Sequence, residues 1–96
     1  MGIAIEEVAR RLNVPSDKLV RASLVAYVAQ QERLTRADIA DLSERYGVAT
    51  LRELRSGIES GAVHSHPAWE DSIEWENLEA YLVQLGELSA QLDQDV

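Results

Sequence analysis

Signals that start and stop helices recur along the whole of this 96-residue chain, and they constrain its fold more than any other feature. Asn13 can take the left-handed conformation that ends a helix, and Val14-Pro15 cannot continue one. The apolar residues before Asn13 follow the 3.6-residue period of an amphipathic helix: Ile5, Val8, Ala9 and Leu12. No stretch alternates with period two for long enough to predict a strand. The sequence therefore predicts an all-α fold.

Similar signals divide the middle of the chain into two further helices. Ser16 or Asp17 is expected to cap a second helix that runs to about Arg33. Thr35 then begins a capping-box pattern, in which a hydroxyl and a carboxylate three residues later bind the first free backbone N–H groups. This pattern predicts a third helix, closed by Gly47.

The last part of the chain carries the same kinds of signal. Thr50 begins another capping-box pattern for a fourth helix, closed by Gly61. Pro67 suits the first position of a fifth helix that reaches about Leu92. We expect a small bundle of about five helices that forms a dimer. Its last helix is expected to be long, amphipathic and acidic.

Charge is unevenly distributed along the chain. Residues 1–62 hold nine basic and nine acidic side chains, whereas residues 63–96 hold eight acidic and no basic ones, so the last third carries the whole net charge of −8. We expect a neutral helical body at 1–62 and an acidic amphipathic helix at 63–96, within one domain. A chain of this charge repels nucleic acid as a whole and suits docking onto a basic protein.

Several function classes find no support in the sequence. The absence of cysteine excludes disulfides, thiolate zinc sites and a cysteine nucleophile, and it fits a cytoplasmic protein. No apolar run is long enough to span a membrane. His64-Ser65-His66 lies near Glu70 and Asp71, but two histidines are too few for a zinc site, and a polar loop explains them. We expect no enzyme, no metal and no cofactor.

The second helix is apolar on almost every side. Between Leu19 and Ala29 only Arg21 and Ser23 are clearly polar. Such a helix has to be covered from several directions. Either it is the central core helix of a monomer or it forms a homodimer, which we expect to be built from three residues: Leu24, Tyr27 and Val28.

The predicted fifth helix has two apolar stripes. One contains Trp75, Leu78, Tyr81, Leu82, Leu85, Leu88 and Leu92, within an arc of about 140°. The other lies near the opposite side and contains Trp69, Ile73, Ala80 and Val83. One stripe can pack within the protein, which leaves the other for a partner. Alternatively, residues 67–73 form a separate turn that bends Trp69 and Ile73 into the same core.

The first two helices can also be read as a helix-turn-helix at residues 3–24. Lys18 and Arg21 would then lie on the recognition helix, and Arg10 and Arg11 would lie near the DNA backbone. A purely structural corner between two helices produces the same pattern.

From Leu12 onward the chain resembles small all-helical proteins of bacteria and archaea. The features that carry the resemblance are Val14-Pro15, Tyr46-Gly47, Trp69-Glu70-Asp71, Trp75-Glu76 and Leu78-Glu79. These proteins resemble the antitoxin halves of toxin–antitoxin pairs, and the resemblance implies that a small acidic protein masks a basic, RNA-cleaving toxin.

We therefore expect an antitoxin-like protein whose acidic helix contacts a small basic partner. The expected contact residues are Trp69, Glu70, Asp71, Ile73, Glu74, Trp75, Glu76 and Glu79. Two other functions remain open at this point: a DNA-binding transcriptional autoregulator that uses the N-terminal helices, and a structural dimer or adaptor module with no toxin.

Overall fold

The computed structural model describes residues 2–94, and these residues form four α-helices joined by short turns. The helices are α1 (Ile5–Leu12), α2 (Ser16–Tyr46), α3 (Leu51–Ser60) and α4 (Ser65–Gln94). No strand occurs between residues 2 and 94. The all-α prediction is confirmed, but there are four helices rather than about five.

Local signals place the end of α1 correctly, whereas the N-cap of α2 is Pro15, without a side-chain hydrogen bond, rather than Ser16 or Asp17. Asn13 takes the left-handed conformation, with φ 58° and ψ 47°. The backbone N–H groups of Asn13 and Val14 donate to the carbonyls of Arg10 and Ala9, at 3.2 and 3.0 Å. These bonds satisfy carbonyl groups that would otherwise lack partners at the end of the helix.

The predicted break between the second and third helices is wrong, because α2 continues through it. Thr35 lies inside the helix, only 3% exposed, and its hydroxyl donates to the Gln31 carbonyl at 2.7 Å instead of capping a new helix. The chain around it, from Gln30 to Arg36, contains neither Gly nor Pro and consists mostly of good helix formers. A capping pattern starts a helix only where the preceding chain is not already helical.

The remaining helix ends follow the predictions. Gly47, at φ 62°, ends α2, and Gly61, at φ 80°, ends α3. The Thr50 hydroxyl oxygen accepts from the Glu53 N–H at 3.1 Å. The Glu53 carboxylate in turn accepts from the N–H of Ala49, at 2.8 Å, one residue before the position that a capping box uses.

The last helix is regular from Pro67 onward. His66, at φ −121° and ψ 123°, interrupts it next to the first residue, so the regular part of α4 runs from Pro67 to Gln94. Trp69 and Ile73 lie within this regular part and are exposed. The alternative in which residues 67–73 bend back into the core is therefore wrong.

The apolar core lies where α3 joins the two long helices, a region that we call the base. Its buried residues are Leu42, Leu54, Ala68 and Trp75, one from each of α2 and α3 and two from α4. Partly buried residues surround them: Ile39, Tyr46, Val48, Leu51, Ile58, Val63 and Leu78. Helix α3 packs against α4, which completes a three-helix base.

Away from the base, α2 and α4 continue as an antiparallel pair, and we call residues 19–31 and 80–92 the arm. The pairing is fixed by the Arg21 guanidinium, which donates to the Leu92 carbonyl, and by the Tyr81 hydroxyl, which donates to Gln31 Oε1 at 3.1 Å. Helix α1 packs against α2. The radius of gyration is 19.2 Å, whereas a compact chain of this length has about 12–13 Å. The molecule is a rod with its core at one end.

Candidate protein-binding site

The two tryptophans of α4 lie in opposite environments. Trp75 is 1% exposed in the core of the base, and its indole N–H donates to the Glu79 carboxylate at 3.0 Å. It belongs to a row of residues with alternating spacings of three and four that faces α2 and α3, and this spacing keeps it on the covered side. This placement corrects the expectation that Trp75 contacts a partner.

Trp69 lies on the outer side of α4. Its side chain is 55% exposed, and Ile73, one helical turn further on, is exposed as well. Val83 continues the exposed apolar surface along the same side of the helix. We call these three residues the Trp69 stripe. The helical period correctly separated them from the stripe that contains Trp75.

Asp71 has a structural role in the base. Its carboxylate accepts from Arg45 Nη1 at 2.9 Å and from the Tyr46 hydroxyl, so it ties the end of α2 to the start of α4. The hydrogen bond from Tyr46 lowers the pKa of Asp71 most, partial burial opposes it, and Arg45 adds to the lowering. Burial, followed by the bond to Asp71, raises the pKa of Tyr46. Asp71 is therefore largely engaged within the protein.

The other predicted acidic contacts differ in how far they are neutralised. Glu76 forms an ion pair with Arg55 of α3. Glu70 lies 3.1 Å from His66 Nδ1, and Glu79 accepts from Trp75. Glu74 has no ion pair or side-chain hydrogen bond within residues 2–94. Counting Asp71 with these four, arginines pair with two of the five carboxylates, so about three negative charges remain without an arginine partner on this segment of α4.

The histidines form no metal site with their neighbours. Between residues 2 and 94 no group of three His, Asp or Glu side chains is arranged to hold a metal ion. In the same part of the chain, no helix is both long and apolar enough to cross a membrane.

The basic residues of the predicted DNA-binding set differ in what they contact within the protein. Arg10 and Arg11 both pair with Glu7 on their own helix. Arg21 turns toward the end of α4, and Lys18 lies exposed near the start of α2. A DNA-reading arrangement needs cations that are free to bind phosphates, and three of these four have contacts within the protein.

The predicted dimer residues line an apolar groove of about 400 Å³ on the arm. Leu24 and Tyr27 are exposed, whereas Val28 is buried between the helices. Helix α4 forms the other wall with Tyr81, Leu85, Leu88 and Leu92, together with Gln84 and Gln91. Sequence reasoning missed this wall, because it predicted the dimer contact on the second helix alone. Their lack of charge was the signal that could have identified them.

The fold and its surfaces define a class of small all-α protein: an antiparallel hairpin of two long helices with an acidic base and an uncharged groove. The chain belongs to the Uncharacterized protein MJ0235 family, whose model matches residues 1–94. No curated protein and no solved structure matches the chain.

Proposed function

We propose that this protein binds a basic protein partner through the outer face of its base, in the manner of an antitoxin that masks its toxin. The observation that carries the proposal is the Trp69 ring, 55% exposed on the most acidic segment of the chain. Exposed tryptophans beside charge are typical of the centres of protein interfaces, where one buried ring commonly contributes about 2 kcal/mol or more.

Charge supports the same partner chemistry. Glu70 and Glu74 directly follow Trp69 and Ile73 in the sequence, and the carboxylates left after internal pairing give this face a negative potential. Such a potential accelerates association with a basic surface and discriminates against acidic partners. Trp69 and Ile73 would supply the apolar contact, and the carboxylates would supply orientation and rate.

The antitoxin role rests on the sequence resemblance and on the chemistry of the expected partner. An enzyme that cleaves RNA needs a basic surface to bind phosphates. An acidic helix with an apolar anchor can occupy such a surface and exclude RNA from it. The partner that we propose is therefore a small basic ribonuclease-type protein.

Deleting residues 63–96 would not test this proposal, because α4 supplies Ala68 and Trp75 to the core. The full chain should instead be co-expressed with the product of the adjacent gene, and complex formation and relief of growth arrest measured. We expect Trp69→Ala to weaken the complex by at least about tenfold, and Glu74→Lys to slow association. Leu12→Ala and Glu6→Lys are matched controls, since both residues are exposed on α1, a different helix from the one that carries the Trp69 stripe.

The outcomes separate the general proposal from the specific one. If the variants and their controls bind a basic partner equally well, the Trp69 face is not the binding site. If the partner binds through this face but neither arrests growth nor cleaves RNA, the antitoxin role is excluded and an adaptor role is supported.

A further inference from the structure

We propose that the groove on the arm is occupied by a second copy of this chain, and that the two arms overlap in opposite directions to form a four-helix bundle. This proposal concerns a surface remote from Trp69 and does not depend on the proposed function. The sequence predicted contacts on α2 alone, whereas the geometry points to a face made by both long helices.

The apolar face continues beyond the groove itself. On α2 its exposed residues recur at spacings of four, three and seven, which hold them within about 80° of one another around the helix. They are Val20, Leu24, Tyr27 and Leu34. On α4, Tyr81 and Leu88 are the exposed large apolar residues of the matching stripe. An exposed apolar surface this continuous is typical of protein interfaces.

Its size is sufficient for a specific dimer of moderate affinity. The distance from Val20 to Leu34 along α2 is roughly 21 Å, and two packed helices are about 20 Å wide. Each copy would therefore bury on the order of 500 Å², and the pair about 1,000 Å², near the lower limit for specific interfaces. We expect dimerisation in the micromolar range, visible as a dependence of mass on concentration.

Charge selects a second copy rather than a basic partner as the occupant. Residues 19–31 and 80–92 contain one charged residue each, Arg21 and Glu87, so the arm is neutral in a chain of net charge −8. Two arms can therefore approach each other without the repulsion that the acidic bases would produce. A basic protein would gain no electrostatic attraction on this surface, whereas it would gain attraction on the base.

The same charge distribution selects the direction of the overlap. If the rods lay side by side and parallel, the two acidic bases would be adjacent, with Glu70 and Glu74 of one copy near those of the other. If the arms overlap in opposite directions, the bases lie at the two ends. One rod is 60 Å long, so an overlap of about 20 Å gives a dimer about 100 Å long.

Sedimentation equilibrium between about 1 and 200 µM tests the association, because it measures mass independently of shape. The full chain should reach twice its monomer mass. Leu24→Glu and Leu88→Glu should remain monomeric, since each places a carboxylate in the apolar contact. Val83→Glu is the matched control, because Val83 is 64% exposed and lines a separate pocket beside Arg36. Circular dichroism should show the same helix content in all three variants.

Small-angle X-ray scattering at the upper concentration tests the direction of overlap. A maximum dimension near 100 Å supports opposed arms, whereas about 70 Å or less would indicate rods side by side and would overturn the arrangement. A monomer throughout the concentration range would overturn the proposal. So would association lost with Val83→Glu but kept with Leu24→Glu and Leu88→Glu. Binding of the monomer to phosphatidylcholine vesicles, lost with Leu24→Glu, would assign the groove to lipid instead.

Discussion

Two helical glycines differ in what surrounds them. A Cβ on Gly57 would lie 2.8 Å from Val63 Cγ2, while a Cβ on Gly86 would meet nothing within 4 Å. Gly57 is therefore required by close packing, since the chain that follows α3 turns back onto it. Val63 belongs to the layer around the core and its β-branched side chain has few alternative rotamers, so it cannot easily move aside.

We expect opposite effects from the same substitution at these sites. Gly86→Ala should raise the free energy of unfolding by about 0.5–1 kcal/mol through helix propensity. Gly57→Ala should lower it by about 1 kcal/mol or more, because the clash exceeds that gain. Urea unfolding measures both effects, and Gly57→Ala should cost less in a Val63→Ala background. Equal stabilisation by the two substitutions would show that the contact at Gly57 is unimportant.

Asp71 gives the stability of the protein an acid dependence. Its pKa in the folded chain is below the ordinary value of 3.8, first because Tyr46 donates a hydrogen bond to it and then because Arg45 lies beside it. A lowered folded pKa stabilises the protein above the unfolded pKa, and this contribution is lost as pH falls through the folded pKa.

The substitution Asp71→Asn should remove this dependence. Between about pH 6 and pH 3, the free energy of unfolding should fall less in the variant than in the unchanged chain. Urea unfolding at both pH values measures the difference. Asp93→Asn is the control, because Asp93 lies at the exposed end of α4. Parallel losses in Asp71→Asn and the unchanged chain would mean that another carboxylate is responsible.

At the scale of the elements, α4 depends on α2 for its C-terminal end. No basic residue lies in the last turn of α4, and the Arg21 guanidinium donates to the Leu92 carbonyl from the neighbouring helix. A cation at this position compensates the negative end of the helix dipole and binds a carbonyl that has no partner within the helix. The contact therefore stabilises the tip of the arm.

Loss of this contact should loosen the last turn of α4 without affecting the base. We expect Arg21→Ala to destabilise the end of the helix by about 1 kcal/mol, so that backbone amides near Leu92 exchange hydrogen several times faster. Hydrogen exchange measures the effect, with Lys18→Ala as the control. Unchanged exchange near Leu92, or an equal change at Leu54 in the core, would contradict this assignment.

Element boundaries were predictable where a single residue determines the backbone. Asn13, Gly47 and Gly61 take the left-handed conformation, which few other residues accept at low cost, so each marks a helix end in the sequence. Thr35 was misread because its hydroxyl can serve a cap or an internal carbonyl equally well, and the choice depends on whether the chain before it is helical.

The candidate sites were predictable only in part. Helical period separates Trp69 from Trp75, but which stripe is covered depends on where α3 packs, and this is a tertiary property. The arm shows the same limit. Tyr81 and Leu88 continue the stripe that is buried in the base. The ten-residue helix α3 packs in the base, where it contributes Leu54 to the core, and it does not cover the arm. These two side chains are therefore exposed.

At the scale of the whole molecule, the core and the net charge are concentrated at the base, and the uncharged apolar face is at the arm. Trp75 and Leu54 are among the largest fully buried side chains, and both lie in the base. In the arm, the buried apolar side chains between α2 and α4 are those of Val28 and Leu85. Surfaces for two different kinds of partner can therefore occupy the same chain without overlapping, one at each end.

The elongated shape also affects how the size of the molecule is judged on a chromatography column. A rod 60 Å long moves through solvent with more friction than a sphere of equal mass, since its radius of gyration is 19.2 Å against about 12–13 Å for a compact chain. A single copy should therefore elute from a size-exclusion column ahead of compact proteins of equal mass, at a volume that a globular calibration would assign to a larger particle.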